Sequence, residues 1–111
     1  MFRSPLLAKL ASPTGVSLSM DVPPQVGITS NASIAFSVDA IHYTLVFLYT
    51  NGSEITRHTY NPGSSGGLLA SFIPGSAGQT ITAVARRMYF STASANDSND
   101  VTAPETYVVL P

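Results

Sequence analysis

The dipeptide Asn51-Gly52 lies between two eight-residue segments, 43–50 and 53–60, which are rich in Thr, Val, Ile and aromatic residues. Asn-Gly is the pair that best tolerates the positive φ angles of a two-residue type I′ turn, so these segments are predicted to form a β-hairpin. The simplest register opposes Leu48 to Ile55. It places one set of residues on a common face: 43, 45, 47, 49, 54, 56, 58 and 60.

Apolar and polar residues also alternate from Val16 to Val22 and from Ile34 to Ala40, and this period of two is typical of strands with one exposed face. Three further strands are predicted at 68–73, 79–90 and 105–110, separated by segments rich in Gly, Pro, Ser and Asn. With seven strands and no helix to connect parallel neighbours, the pattern predicts an all-β antiparallel sandwich.

The alternation of strand direction predicts where the loops lie. Successive antiparallel strands bring every second connection to the same end of a sandwich. One end is predicted to hold residues 41–42, 61–67 and 91–104, and the other residues 23–32, 51–52 and 74–78.

The N-terminal segment has a different period. Phe2, Leu6, Leu7 and Leu10 follow helical spacing before the break at 12–15, so residues 1–14 are predicted to form a short amphipathic helix ahead of a sandwich over 15–111. A helix of about two turns is marginal alone and needs a surface to dock on. We predict that its apolar stripe forms the interface of a homodimer.

The surface of this chain is built from hydroxyls rather than from ions. Charged residues make up 10%, whereas 15 Ser and 11 Thr are present and the formal net charge is −1. Such a surface repels other proteins weakly and is compatible with self-association or with neutral ligands such as sugars. The five basic residues are scattered, so nucleic-acid binding is not expected.

No stretch approaches the roughly 20 apolar residues that span a membrane, so no membrane insertion is expected. Lys9 interrupts the apolar run near the N-terminus, which is too short for the core of a signal peptide. We therefore expect a soluble protein, cytoplasmic or secreted without a recognisable signal. The absence of cysteine excludes disulfides and thiolate metal sites.

The stretch from Phe72 to Ala85 (FIPGSAGQTITAVA) resembles the fibronectin type III pattern, in which a Pro-Gly turn leads into the alternating sixth strand. The resemblance implies an immunoglobulin/fibronectin III-like sandwich. The chain departs from that family in having no Trp, and in having Ile81 where the family has Tyr, so the tyrosine corner is missing.

A second resemblance covers the whole chain. Fungal immunomodulatory proteins are cysteine-free chains of similar size with a short helix before a fibronectin III-like sandwich. The segments 2–10 and 16–24, followed by Tyr43-Thr44 leading into Asn51-Gly52, resemble that order of parts, although the family's tryptophans are missing. This resemblance implies a homodimer with lectin-like agglutinating or cell-stimulating behaviour.

The sequence contains no catalytic motif, and no catalytic residue is assigned. His42 and His58 are predicted on opposite faces of the hairpin, which disfavours a two-histidine metal site. No strained Gly-x-Ser-x-Gly turn accompanies the many serines. The run 97–100 lacks the spacing of a calcium loop, so neither a metal nor a cofactor is expected.

Two groups of residues are candidates for binding. The loop residues Asn96, Asp97, Asn99 and Asp100 are predicted near Tyr60 and Asn61, where amides, carboxylates and an aromatic ring would suit a sugar. The alternative is a solvated, turn-rich loop. Tyr43, Phe47, Tyr49 and Tyr60 are predicted to crowd one hairpin face, either as core or as a platform for a sugar or a partner.

Three Asn-x-Ser sequons occur, at Asn31, Asn51 and Asn96. The adjacent Arg86 and Arg87 point to opposite faces of one strand, and salt bridges with acids such as Glu105 or Asp39 are predicted for one or both of them.

Together these features predict a non-enzymatic binding protein, lectin-like or immunomodulatory, which recognises cell-surface glycans or receptors. The alternative is a structural or adhesive immunoglobulin-like module of a larger assembly, such as a phage particle, without a small-molecule site.

Overall fold

The computed structural model describes residues 8–111, which form eight strands and no helix. All the strands pair with antiparallel neighbours. In chain order they are β1 (Ser17–Met20), β2 (Ser30–Ala35), β3 (Tyr43–Thr50), β4 (Ser53–Tyr60), β5 (Gly66–Phe72), β6 (Thr80–Met88), β7 (Val101–Thr102) and β8 (Tyr107–Val108).

The strands form two sheets. One has the order β1-β2-β5 and the other β4-β3-β6-β7, with β8 also paired to β6. The all-β, antiparallel prediction is confirmed, but the count of seven strands is wrong. The predicted last strand, 105–110, is preceded by a short strand, β7, within the predicted loop 91–104. β7 and β8 pair with successive parts of β6, and Pro104 interrupts this edge because it has no N–H for the ladder.

One apolar core lies between the two sheets. It contains Leu18 and Ile34 from the three-stranded sheet and Val46, Leu48 and Ile81 from the five-stranded sheet, all 3% exposed or less. Its members alternate along each strand, which is why one face of each sheet is buried. The sheets therefore pack face to face, as in a β-sandwich.

The Asn51-Gly52 turn is confirmed, since its two residues have φ angles of 46° and 79°. The predicted register is wrong beyond it. Thr50 pairs with Ser53 and Tyr49 with Glu54, but a bulge follows, so that Leu48 pairs with Thr56 instead of Ile55. The extra residue reverses the face of every later side chain in β4.

The bulge changes the membership of the hairpin faces. Tyr43, Phe47 and Tyr49 point away from the core, whereas the predicted companion Tyr60 points into it. Residues 56 and 58 lie on the same side of β4 as Tyr60. The predicted common face therefore holds for residues 43, 45, 47, 49 and 54 and fails for the other three.

The predicted N-terminal helix is absent over the described part of its range, residues 8–14. Residues 8–14 are irregular, and Phe2, Leu6 and Leu7 lie outside the described residues. The N–H of Leu10 donates to the carbonyl of Asn96 at 3.0 Å, so this backbone bond goes to a loop of the sandwich rather than to a helical turn. The hydroxyl of Ser12 likewise donates to the carbonyl of Asn99.

The loops sort into the two predicted ends. At one end, Gly63 N–H bonds the carbonyl of Asp39, and Ser98 N–H bonds that of Arg87. At the other end, Gly27 N–H bonds Pro74, and Asn51 N–H bonds Thr80.

Across residues 8–111, the structure contains no helix long and apolar enough to cross a membrane.

The turn gives a direct test of the hairpin. Gly52→Ala should lower the free energy of unfolding by about 1 kcal/mol, because Gly52 has a φ of 79° and a Cβ strains that left-handed backbone. The matched control is Gly75→Ala, where the φ is not positive and no atom lies within 4 Å of the added Cβ. Urea denaturation of both variants measures the difference, and equal stabilities would contradict the turn geometry.

Candidate functional site

The outer faces of the two sheets differ sharply in chemistry. The outer face of the three-stranded sheet consists mainly of small polar residues, among them Ser17, Ser19, Asn31, Ser33 and Ser71, together with Leu68, which is 60% exposed. The outer face of the five-stranded sheet has large aromatic, apolar and guanidinium groups instead. We call it the aromatic face, and its main residues are Tyr43, Leu45, Phe47, Tyr49, Arg57, Arg86 and Met88.

The aromatic face has its own apolar cluster, separate from the core between the sheets. Leu45, Phe47 and Met88 are buried in it, and Tyr43 and Tyr49 pack against them while remaining partly exposed. The rings of Phe47 and Tyr49 are stacked, with centroids 6.1 Å apart. Neighbouring side chains thus hold the tyrosine rings in place while part of each ring reaches solvent.

Two arginines cover the ring of Phe47. The guanidinium carbon of Arg57 lies 4.8 Å from the ring centroid and that of Arg86 lies 5.5 Å away, within the range of cation–π attraction. Register explains this arrangement, because β4 and β6 flank β3 and bring one arginine to each side of Phe47.

A carboxylate orients each of these arginines. Arg57 donates to both oxygens of Glu54, at 3.0 and 2.7 Å, and Arg86 donates to both oxygens of Asp100, at 2.7 and 3.2 Å. These hydrogen bonds raise the pKa of both guanidinium groups. The pairs are partly exposed, so their main effect is to fix the side chains rather than to stabilise the fold.

The sequence did not reveal this arrangement, although a signal was present. A salt bridge is predicted for one or both of Arg86 and Arg87 with an acid such as Glu105 or Asp39, and Arg86 does form one, but with Asp100. Glu105 instead accepts hydrogen bonds from the backbone of Leu18 and the hydroxyl of Ser17, and the bond from Leu18 is the main cause of its lowered pKa. The signal in the sequence is the spacing Glu54-x-x-Arg57. Residues three apart lie on opposite faces of a regular strand, so these two side chains share a face only because a bulge lies between them.

Most polar groups of the predicted loop cluster (Asn96, Asp97, Asn99 and Asp100) that the structure describes make hydrogen bonds within the chain. Asp97 is buried and accepts from the backbone N–H and the hydroxyl of Ser94, while Asp100 pairs with Arg86. Asn96 and Asn99 contribute backbone carbonyls that hold the segment 8–12. The loop therefore has a structural role in fastening the N-terminal segment, and sugar binding by it stays a prediction.

Tyr60 and Asn61 do not lie beside that loop. Tyr60 is on β4, at one edge of the sheet, whereas Ser98 bonds the backbone of Arg87 on β6, two strands away. The backbones of β4 and β6 are about 10 Å apart at the usual strand spacing. The loops share one end of the molecule, as predicted, but lie at opposite edges.

Tyr60 belongs to the core. It is 7% exposed, packs edge-on against Phe36 with centroids 5.4 Å apart, and donates to the carbonyl of Leu68 at 2.9 Å. Burial raises its pKa to about 12. Its hydroxyl therefore bonds the edge of β5 rather than facing a ligand.

A buried arginine links the two sheets at the same end. Arg87 is 4% exposed and donates to the hydroxyls of Thr44 and Ser37, and its Nε lies 4.0 Å from a carboxylate oxygen of Asp39. The predicted Arg87–Asp39 proximity is confirmed. Desolvation lowers the pKa of Arg87, so the carboxylate and hydroxyls nearby are needed to balance its buried charge.

Asp39 also organises the loop before β3. It accepts from the backbone N–H groups of Ile41 and His42, each at 3.0 Å, and contacts Nδ1 of His42 at 2.8 Å. Burial acts to raise the pKa of Asp39, but these hydrogen bonds outweigh it and the pKa is lowered. His42 packs edge-on against Tyr89, so its ring has structural contacts on two sides.

Two of the three sequons lie in hydrogen-bonded positions. Asn31 donates its amide to Asp21 at 2.6 Å, and Asn51 accepts the backbone N–H of Thr80 at 2.8 Å. Asn96 is half-buried. Within the described part of the chain, no three His, Asp or Glu side chains gather as a set of metal ligands.

Comparison of the chain with protein-family models, with curated proteins and with solved structures found no match in any of the three.

The Asp39 network predicts a pH-dependent stability. Because the pKa of Asp39 is lowered on folding, its contribution is complete above about pH 4 and is lost as the pH falls through the folded-state value. Asp39→Asn should cost about 1–3 kcal/mol at pH 7 and flatten the decline of stability below pH 4. Urea denaturation at steps from pH 7 to pH 2 measures both effects, and an unchanged acid slope would contradict this role.

Proposed function

We propose that this chain is a non-enzymatic binding module with an immunoglobulin/fibronectin III-like sandwich, and that it recognises a partner protein through the aromatic face. Such a partner would be a cell-surface receptor or a component of a larger assembly. The observation that carries the proposal is the contrast between the two outer faces, one serine-rich and the other rich in tyrosine, phenylalanine, methionine and arginine.

The strand order supports the fold assignment. β2 pairs with β5 in one sheet and β3 pairs with β6 in the other, so each of two consecutive strands pairs with the strand three places further along the chain. This interlocked arrangement is typical of Greek-key sandwiches. Ile81, which stands where the fibronectin III pattern has a tyrosine, lies in the core and is 1% exposed.

The accessible part of the aromatic face supports a protein partner. Phe47 and Met88 are buried, and the side chains that reach solvent are those of Tyr43, Tyr49, Arg57 and Arg86. Tyr and Arg are enriched in protein interfaces, whereas Ser is depleted. The arginines are already oriented by Glu54 and Asp100, so less side-chain entropy is lost when a partner binds. Each positive group has an adjacent negative group, which favours a partner surface of mixed charge over a strongly charged one.

The same geometry favours a protein over a glycan on this face. A sugar usually stacks on an open aromatic ring, but the ring of Phe47 is only 6% exposed because guanidinium groups cover it. Tyr43 and Tyr49 offer only partly exposed rings. The experiment below therefore has to distinguish binding of a protein from binding of a glycan.

The test uses the labelled chain against a panel of receptor ectodomains and against a glycan array. Tyr49→Ser combined with Arg57→Ser gives the aromatic face the chemistry of the opposite sheet, and should weaken a protein interaction about 10- to 100-fold. The Arg57 change should cost little because its ion pair is exposed, but Tyr49→Ser removes a ring stacked on Phe47 and should lower the melting temperature, so binding is measured at a temperature where the variant is still folded.

The matched control is Ser19→Ala combined with Ser33→Ala on the outer face of the three-stranded sheet, which should bind as the wild type does. Binding to glycans alone, or protein binding that survives the Tyr49/Arg57 variant, would contradict the proposal. Loss of binding in the serine control would move the site to the other sheet.

A further inference from the structure

A cavity of about 160 Å³ opens at the end of the molecule that carries the Asn51-Gly52 turn, away from the aromatic face. Its wall is mostly apolar, with parts of β3 and β4 on one side and the end of β5 with the following turn on the other. The lining residues are Thr50, Ile55, Phe72, Ile73, Pro74, Gly75, Gln79 and Ile81.

The bulge in β4 contributes to this cavity. Ile55 is the residue left without a cross-strand partner, and it lines the cavity while remaining 36% exposed. Ile73 lines it too and is 62% exposed. The cavity therefore has an apolar rim in contact with solvent, through which a ligand can enter without unfolding of the sandwich.

One polar group in the wall lacks a partner. The hydroxyl of Thr50 is buried, and no hydrogen bond to it is found among residues 8–111. Almost all buried hydroxyls in proteins are hydrogen-bonded, so such a group indicates a place where a partner is missing. Thr50 lines the cavity, and a 120° change of χ1 moves its hydroxyl to another staggered position around Cβ.

The wall carries no ionisable side chain, which selects for an uncharged ligand. Its size sets the upper limit, since an apolar cavity of about 150 Å³ accommodates benzene. The amide of Gln79, half-buried in the wall, adds a second hydrogen-bonding group.

We propose that this cavity binds a small, neutral six-membered ring compound that carries one hydroxyl, such as a phenol or a cyclohexanol. The ring fills the space between Ile55, Phe72 and Ile81, and its hydroxyl bonds Thr50. The site is independent of the aromatic face, because it lies between the sheets rather than on the outer side of one.

The test compares phenol with toluene, which has the same ring but no hydroxyl. Titration of the ¹⁵N-labelled full chain should give saturable amide shifts around residues 50, 55, 72–75 and 79–81, with phenol bound about fivefold more tightly than toluene. In the isosteric variant Thr50→Val, that preference should disappear while toluene binding is kept.

Thr50→Val also tests, without any ligand, whether the Thr50 hydroxyl lacks a hydrogen-bond partner. Removal of an unpartnered buried hydroxyl should raise the melting temperature by about 4 °C. A lower melting temperature would mean that the hydroxyl has a partner, and would overturn the proposal.

Two controls complete the experiment. Ile55→Phe fills the cavity and should abolish the shifts for both compounds, whereas Ile41→Phe, at a position 72% exposed at the opposite end, should leave them unchanged. Shifts that do not saturate, that spread over the whole chain, or that persist in Ile55→Phe would overturn the proposal.

Discussion

The turn at Asn51-Gly52 and the bulge at Ile55 together determine which side chains of β4 face the core. The turn fixes the first pair, Thr50 with Ser53, and the bulge then adds one residue, so that Tyr60 enters the core and Arg57 reaches the outer side. This one extra residue accounts for the position of Arg57 over Phe47, for the hydrogen bond from Tyr60 to β5 and for Ile55 in the wall of the cavity. Without it, Tyr60 would lie outside and Arg57 would face the core.

Much of the fold could be predicted because it follows from local chemistry: the turn needs Asn-Gly, and alternation identifies a strand with one buried face. The failures have physical reasons. A bulge leaves no trace in a period-two pattern, since Ile55 and Thr56 both suit a strand. The strand predicted over 34–40 shares only residues 34 and 35 with β2, and residues 36–40 form no strand. Its start is displaced because Ser30 and Ala32, both fully buried, are too small to mark a core-facing position. Burial of Tyr60 and the Arg86–Asp100 pair depend on contacts between distant segments, which no local pattern contains.

Buried and half-buried polar side chains make hydrogen bonds at strand edges and between segments that are not paired by backbone ladders. Arg87 joins the segment after β2 to β3 and β6, Glu105 bonds the backbone edge of β1, and Tyr60 bonds that of β5. Exposed strand edges invite pairing with other chains, so these contacts limit uncontrolled association. The aromatic face remains as the surface whose chemistry suits a specific partner.

The central claim is that the bulge in β4 brings Arg57 to the outer face, where it lies with Arg86 of β6 over the ring of Phe47. Nuclear Overhauser spectroscopy of the wild-type chain tests it most directly. The account predicts cross-peaks from the Phe47 ring protons to the side chains of both arginines, with the arginine Hδ resonances shifted upfield by the ring. Cross-peaks from that ring to the methyl group of Thr56 instead, together with contacts between the rings of Tyr43 and Tyr60, would mean an unbulged register and would contradict it.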